Sequence, residues 1–326
     1  MRTRGLVVGK FYPPHRGHKL LIDTATAAVD DVHVIVCEKP GEDPPAALRA
    51  AWLREIHPAA TVWRIDDRYD ADDSAVWASV CRQLLGFTPD VVFTSEAYGD
   101  RFAACFGCKH VLVDQARTAV PVSGTAVRAD PLGRWDYLEP PVRGHYAKRV
   151  VLIGAESTGK TTLASDLAAA LDTSWVPEYG REYWEHKMAR GEPNTWRGEE
   201  FAEIAREQCR REDAAARLCN RVRVCDTDAV ATRVWHHRYM GGWSPAVDAI
   251  AAAHRRPDLY LLTDIDTPFE QDGTRDGEHI RGWMHQKFVE QLTAHRLPFI
   301  EVKGSPAHRV AVAAAAVERI CRVESR

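Results

Sequence analysis

The sequence predicts an α/β protein of two domains, each a parallel sheet flanked by helices, over residues 1–143 and 144–326. Three observations carry this. Short apolar runs alternate with helical patterns along both halves, as in parallel sheets whose crossovers are helices. The stretch GAESTGKT at Gly154–Thr161 satisfies G-x-x-x-x-G-K-[ST]. It stands between an apolar run at Val150–Ile153 and Leu163, Leu167 and Leu171, so it reads as strand, phosphate loop and helix. Two adjacent prolines and a glycine within Tyr137–Tyr146 read as a linker, which puts the boundary near Arg143 to Ala147.

The bulk numbers exclude several classes. A length of 326 residues leans towards two domains, and 45% hydrophobic content is ordinary for a globular chain. No apolar stretch is long enough to span a membrane, and MRTRGLVVGKF lacks the apolar core and cleavage site of a signal peptide. A net charge of −3 lacks the basic balance of a dedicated nucleic-acid binder. Eight cysteines are scattered. Cys105 and Cys108 form one C-x-x-C without a second pair at zinc spacing, so free thiols and a cytoplasmic location are expected.

From the N-terminus, Leu6–Val8 reads as a buried strand. It leads into Gly9-Lys-Phe-Tyr-Pro-Pro-His-Arg-Gly-His18. His15 and His18 stand where a loop becomes a helix running to about Val29. At that spacing both rings fit one face of a first helical turn, which is already an anion site. Gly17 between them is expected to let a nucleotide approach the backbone. Strands at Val32–Cys37, Thr61–Ile65, Val91–Thr94 and Val111–Val113 then alternate with helices at Ala46–Ile56, Ala75–Leu85 and about Arg101–Phe106. The segment Thr94–Asp100 falls at a strand end, where such sheets bind ligands. Glu96 and Tyr98 are its candidates for an acceptor pocket, with helix capping through Ser95 as the other reading. Trp52, Trp63 and Trp77 suit either ring stacking or core packing. In Val122–Arg128, VSGTAVR, the Ser123 and Thr125 hydroxyls at a helix start and the Arg128 fork suit phosphate oxygens.

The pairing of H-x-G-H with S-x-T-x-x-R resembles the nucleotidyltransferase superfamily of Rossmann-like α/β proteins, which pass a nucleotidyl group from a nucleoside triphosphate to a phosphate. That resemblance implies ATP contacts from Gly9, Lys10, Phe11, Ser123, Thr125 and Arg128. It also implies catalytic donation by His15 and His18 to developing negative charge.

In the second half the phosphate loop offers Gly154, Glu156, Ser157, Thr158, Gly159, Lys160, Thr161 and Thr162 to ATP. Lys160 suits the β- and γ-phosphates and Thr161 suits Mg²⁺. Ser174–Glu178 is strand-like, and Glu178, Tyr179 and Arg181 follow its end as candidates for the acceptor. Thr195–Asn220 reads as a charge-rich amphipathic helix. Val222–Asp228 reads as a core strand ending in carboxylates, with Asp226 as the Mg²⁺ aspartate and Asp228 near acceptor or metal water. Either Glu178 or Asp228 is the general base. His236 and His237 are adjacent on a helix and read as ordinary. Leu259–Thr263 is a further strand. The polar segment 266–281 suits a mobile, arginine-bearing kinase segment with Asp272, Arg275 and Arg281 as candidates, an exposed loop being the alternative. Phe299–Val302 and Ala307–Cys321 give the last strand and helix.

In this order GKFYPPHRGH, VSGTAVR, GAESTGKTT, VPEYGREY and DGTRDG resemble the NadR-type family, over essentially the whole chain. That family couples nicotinamide-mononucleotide adenylyltransferase to ribosylnicotinamide kinase. The resemblance implies that the C-terminal domain phosphorylates nicotinamide riboside with ATP and Mg²⁺. The N-terminal domain then adenylylates nicotinamide mononucleotide to NAD and pyrophosphate, and a homo-oligomer is compatible with this. Some members carry an N-terminal helix-turn-helix and repress transcription. Here the first strand starts almost at Met1, which leaves no room for such a domain, so no nucleic-acid partner and an enzyme without a repressor role are expected unless DNA is contacted through a partner. The lack of a long apolar stretch speaks against a membrane partner. Three other readings stay open: one working site, a fusion serving flavin or coenzyme A synthesis, and a nucleotide-sensing regulator.

Overall fold

The computed structural model describes residues 2–70, 72–271 and 277–322. The chain divides into two compact units, Met1–Arg143 and Gly144–Arg326.

In the first unit, strands β1 (Arg4–Gly9), β2 (Asp31–Glu38), β3 (Thr61–Asp66), β4 (Val91–Thr94) and β5 (Lys109–Leu112) form a parallel sheet in the order β3-β2-β1-β4-β5. Helices α1 (Arg16–Ala28), α2 (Ala46–Ile56), α3 (Ser74–Leu85), α4 (Gly99–Phe106) and α5 (Gly124–Ala129) make the crossovers and the exit from β5. Successive β1 residues feed opposite faces. Val7 packs with Ile22, Val34 and Leu53, and Leu6 packs with Ile35, Cys81 and Phe102. Each such fully buried aliphatic side chain contributes about 1.5–3 kcal/mol, which is why the strands read as continuous apolar runs. The sheet order reverses beside β1, so its carboxyl end and that of β4 open a crevice between them.

The stretch read as a linker is structured. A 3₁₀ turn at Trp135–Tyr137 is followed by helix α6 (Pro140–Tyr146). Prolines are compatible with a first helical turn because their missing N–H groups have no intrahelical partner there. The Glu139 carbonyl accepts from Val142 and Arg143, both at 2.9 Å. Strand β5 begins two residues before the expected run and stops at Leu112.

In the second unit, β6 (Lys148–Ile153), β7 (Trp175–Val176), β8 (Val222–Asp226), β9 (Leu259–Thr263) and β10 (Phe299–Val302) form a parallel sheet in the order β10-β9-β6-β8-β7. Around it stand α7 (Lys160–Ala170), α8 (Tyr179–Ala189), α9 (Gly198–Ala216), α10 (Ala229–Met240), α11 (Pro245–Ala253), α12 (Arg281–Ala294) and α13 (Pro306–Cys321). Val150 and Leu152 pack under α7 and α13, while Val151 and Ile153 face Val234 and Phe288. No described helix is long and apolar enough to cross a membrane.

On the same face as Val151, β6 carries Arg149, whose side chain is 3% exposed. Its guanidinium meets Glu212 of α9 at 2.5 Å and Asp228 at 3.3 Å, and donates to the Arg255 carbonyl at 2.6 Å. Tyr260 of β9 donates its hydroxyl to Asp228 at 2.7 Å. Arg149→Met would leave two buried carboxylates without their cation, a loss of about 3–5 kcal/mol. Urea unfolding of the second unit is expected to show it.

Candidate active sites

His15 caps α1. Its Nδ1 accepts the Gly17 N–H at 3.1 Å, and His18 Nδ1 accepts the His15 N–H at 3.3 Å. The rings stack with centroids 3.8 Å apart. Since each Nδ1 accepts, each neutral ring carries its proton on Nε2. Burial, then the Arg117 charge, lowers the His15 pKa to about 4. Burial, then His15 and Arg117, holds His18 well below its ordinary value. The pair is therefore made of neutral donors. A Cβ on Gly17 would stand 3.0 Å from the His15 ring, so this glycine makes room for the capping imidazole, and it also borders the cleft described next.

Gly9, Lys10, Phe11, Glu96, Tyr98, Ser123, Thr125 and Arg128 border one cleft of about 590 Å³ with both histidines. Ser123 caps α5 through the Ala126 N–H at 3.1 Å. Arg128 lies 4.5 Å over the Tyr12 ring and donates to the Tyr12 carbonyl and to Thr125 at 3.2 Å. Lys10 faces Asp67 at 3.3 Å and Glu42 at 3.7 Å. Phe11 is buried and packs edge-on to His18, so it braces that ring. Tyr98 reaches the Val8 carbonyl at 3.5 Å, and burial raises its hydroxyl pKa. Glu96 pairs with Arg117 at 3.5 Å. Of the three tryptophans, Trp77 borders the cleft, Trp52 is buried, and Trp63 donates to His33 at 3.2 Å. The sequence reading passed over Arg117 and the fully buried Arg49, which holds the Lys10 carbonyl and Glu42.

In the second unit the loop after β6 borders a cleft of about 670 Å³ through Glu156 to Thr162, joined by Glu178 and Arg181. Gly154 supplies the turn: φ is 156°, and a Cβ would meet Thr263 Oγ1 at 2.2 Å. Thr158 is buried and holds the loop's shape, donating to the Ala155 carbonyl at 2.8 Å and meeting Thr263 at 2.7 Å. Lys160 Nζ rests on the Ala155 carbonyl at 2.8 Å. The Glu156 carboxylate is taken by Arg238 at 2.8 Å and the Gly277 N–H at 2.7 Å. The Ser157 hydroxyl accepts from the Glu270 N–H at 2.7 Å. Arg281 donates to the Thr267 carbonyl at 2.9 Å and the Ser157 carbonyl at 3.3 Å. Asp272 and Arg275 lie outside the described residues.

The Thr161 hydroxyl donates to Asp226 Oδ2 at 2.6 Å, while Asp226 Oδ1 is buried with no hydrogen-bond partner among the described residues. Burial raises the Asp226 pKa. Burial first, and the Asp226 charge second, raise Glu178 to about 7.

Two expectations are corrected by position. Asp228 does not border the cleft. It caps α10 through the Ala231 N–H at 3.0 Å and is otherwise taken by Arg149 and Tyr260. The reason is local: Thr227 has φ 69°, so the strand alternation ends at Asp226 and the next carboxylate turns into the interior. Tyr179 packs beneath the Arg211 guanidinium, 4.4 Å from its ring centroid, and lies outside the cleft lining.

An aromatic wall was missed. Trp184, Trp196, Phe201, Trp235 and Tyr239 line the same cleft, with Gln208 and Asn194 as polar partners. Part of the signal was present, since Trp235 and Tyr239 stand four apart on one face of α10. Trp196 carried none, because it lies outside any regular element.

A family model described as an AAA domain matches residues 149–309. The trifunctional NAD biosynthesis/regulator protein NadR of Escherichia coli K12 is 30% identical, aligned over 93% of this chain and 79% of its own. The chain belongs to the NadR family. The NadR protein of Salmonella typhimurium LT2 is likewise 30% identical, over 92% of this chain and 78% of its own. A crystal structure of a NadR protein in complex with NR shares the fold at TM-score 0.82 and 22% identity, over 99% of this chain and 98% of that one. Another, in complex with NAD and AMP-PNP, does so at TM-score 0.78 and 21% identity, over 100% and 98%.

Two measurements follow from the electrostatics. Glu178 has a folded-state pKa near 7 against an ordinary 4.5. The fold therefore favours its neutral form, and the stability it contributes is full below about 4.5 and is lost as pH rises through about 7. Glu178→Gln is expected to flatten that loss in thermal unfolding followed against pH. Nitrogen NMR of the histidine rings is expected to show His15 and His18 neutral and Nε2-protonated at pH 6, well above the value of about 4 for His15.

Proposed function

We propose that this NadR-family chain carries two phosphate-transfer sites. The second unit phosphorylates nicotinamide riboside with ATP, and the first adenylylates nicotinamide mononucleotide to NAD and pyrophosphate. The observation that carries the reading is the composition of the second cleft. A phosphate loop, a carboxyl poised near neutrality and an aromatic wall border one space, which suits transfer to a hydroxyl of a flat-based riboside.

In the kinase step, the loop N–H groups and Lys160 bind the β- and γ-phosphates. The aromatic wall orients the acceptor, and Glu178 takes the proton of its ribose hydroxyl. Glu178 is preferred over Asp228 because Asp228 is already held by Arg149 and Tyr260. Thr161 and Asp226 fit a Mg²⁺ ion, because Asp226 Oδ1 is a buried carboxylate oxygen with no hydrogen-bond partner among the described residues. When bound, Mg²⁺ neutralises phosphate charge. In the adenylyl step, the acceptor phosphate attacks the α-phosphorus of ATP. The Nε2–H groups of His15 and His18 donate to the oxygens on which charge develops, without first needing protonation. Lys10, Ser123, Thr125 and Arg128 hold the remaining phosphate oxygens by exchanging their present partners.

Product analysis tests both halves. From nicotinamide riboside, ATP and Mg²⁺ the chain is expected to form ADP and then NAD; from the mononucleotide, pyrophosphate and NAD without ADP. Lys160→Ala is expected to lower ADP formation by roughly 10²–10³ and spare pyrophosphate release, and His18→Ala to do the reverse. Loss of both products in either folded variant would contradict two separate sites.

A further inference from the structure

Trp196 is central to the aromatic wall. Its ring lies 5.2 Å from Phe201 and 5.6 Å from Tyr239, and stacks on Tyr183 at 6.3 Å. Yet no ladder or helix holds it. It sits in the irregular connection between α8 and α9.

What holds it is a buried ion pair. Lys187 of α8 is 4% exposed and Glu200 of α9 is 1% exposed. The Lys187 ammonium donates to the two Glu200 oxygens at 2.8 and 3.1 Å, and to the carbonyl of Thr195. Glu200 accepts the N–H of Arg197 at 2.7 Å. The pair thus seizes the carbonyl just before Trp196 and the N–H just after it, and the ammonium stands 5.3 Å from the Trp196 ring centroid. All three ammonium donors have acceptors. Stability alone does not account for this arrangement. A buried pair loses about as much in desolvation as it gains by attraction, and apolar replacements of equal volume are often neutral or stabilising. Its product is the fixed position of one tryptophan.

We propose that Lys187 and Glu200 are positioning residues for the acceptor. They clamp Trp196 in the cleft wall so that a flat aromatic base docks on a surface already formed, which reduces the ordering lost on binding. This rests on the riboside-kinase reading above.

The test is the double variant Lys187→Met, Glu200→Gln, which removes both charges at nearly constant volume. The KM for nicotinamide riboside is expected to rise about tenfold, since preorganisation acts on binding. The kcat, the KM for ATP and pyrophosphate formation from the mononucleotide should stay within about threefold by the same argument. Hydrogen exchange of the peptide spanning residues 191–200 is expected to quicken, with the thermal midpoint unchanged or raised. An unchanged KM with a lowered midpoint would make the pair merely structural and overturn the proposal, as would unchanged exchange. Should the wild-type chain form no ADP from riboside, the kinase reading fails by itself, and the exchange measurement alone decides the clamp.

Discussion

The Arg149 guanidinium places a positive charge inside the second unit, and the elements that build its phosphate site answer it. Glu212 comes from α9 and Asp228 from the cap of α10 just past β8, both meeting Arg149 of β6, and Tyr260 of β9 donates to Asp228. These include the central strand that delivers the phosphate loop and the neighbours that deliver Asp226 and Thr263. A buried charge tolerates little displacement of its partners, because each partner removed leaves an ion without water or counter-ion. The relative heights of β6, β8 and β9 are held by that requirement. Thr161, at the start of α7, and Asp226, at the end of β8, meet at 2.6 Å.

On the function proposed above, the first unit suits its cleft to phosphate by the opposite electrostatic route. It keeps two imidazoles uncharged by burying them and placing Arg117 nearby. Cations at such a position would bind resting phosphates and reacting ones alike. Neutral Nε2–H donors gain most where charge grows, which is the condition for accelerating a step rather than only tightening binding. The stacked geometry follows from capping, since each ring spends its other nitrogen on a backbone N–H at the start of α1.

Much was legible in the sequence where local chemistry decides. β4, β9 and β10 fall within the residues their apolar runs marked, and α2 does too. The residues of H-x-G-H and S-x-T-x-x-R do border a common cleft, as do Glu156 to Thr162 with Glu178 and Arg181. The reading went astray where a single backbone angle or a distant partner decides. Asp226 and Asp228 look alike as a pair of strand-end carboxylates, and the left-handed Thr227 between them sends one to the phosphate loop and the other to Arg149. Pro140 and Pro141 look like a break, but they open a helix because that is the position where proline loses nothing.

The sequence by itself determined the strand and helix alternation and the placing of histidine chemistry just after β1 and of the phosphate loop just after β6. Those features depend on periodicity, glycine content and neighbours within a few residues. The tertiary structure alone decided which carboxylates face the cleft, that Gly17 accommodates an imidazole, and that Trp184 of α8, Trp196 of the α8–α9 connection, and Trp235 and Tyr239 of α10 converge into one wall. Convergence of that kind is set by sheet order and by buried ion pairs such as Lys187 with Glu200. Both join residues on different elements, and pairing between elements leaves no periodic trace in the sequence.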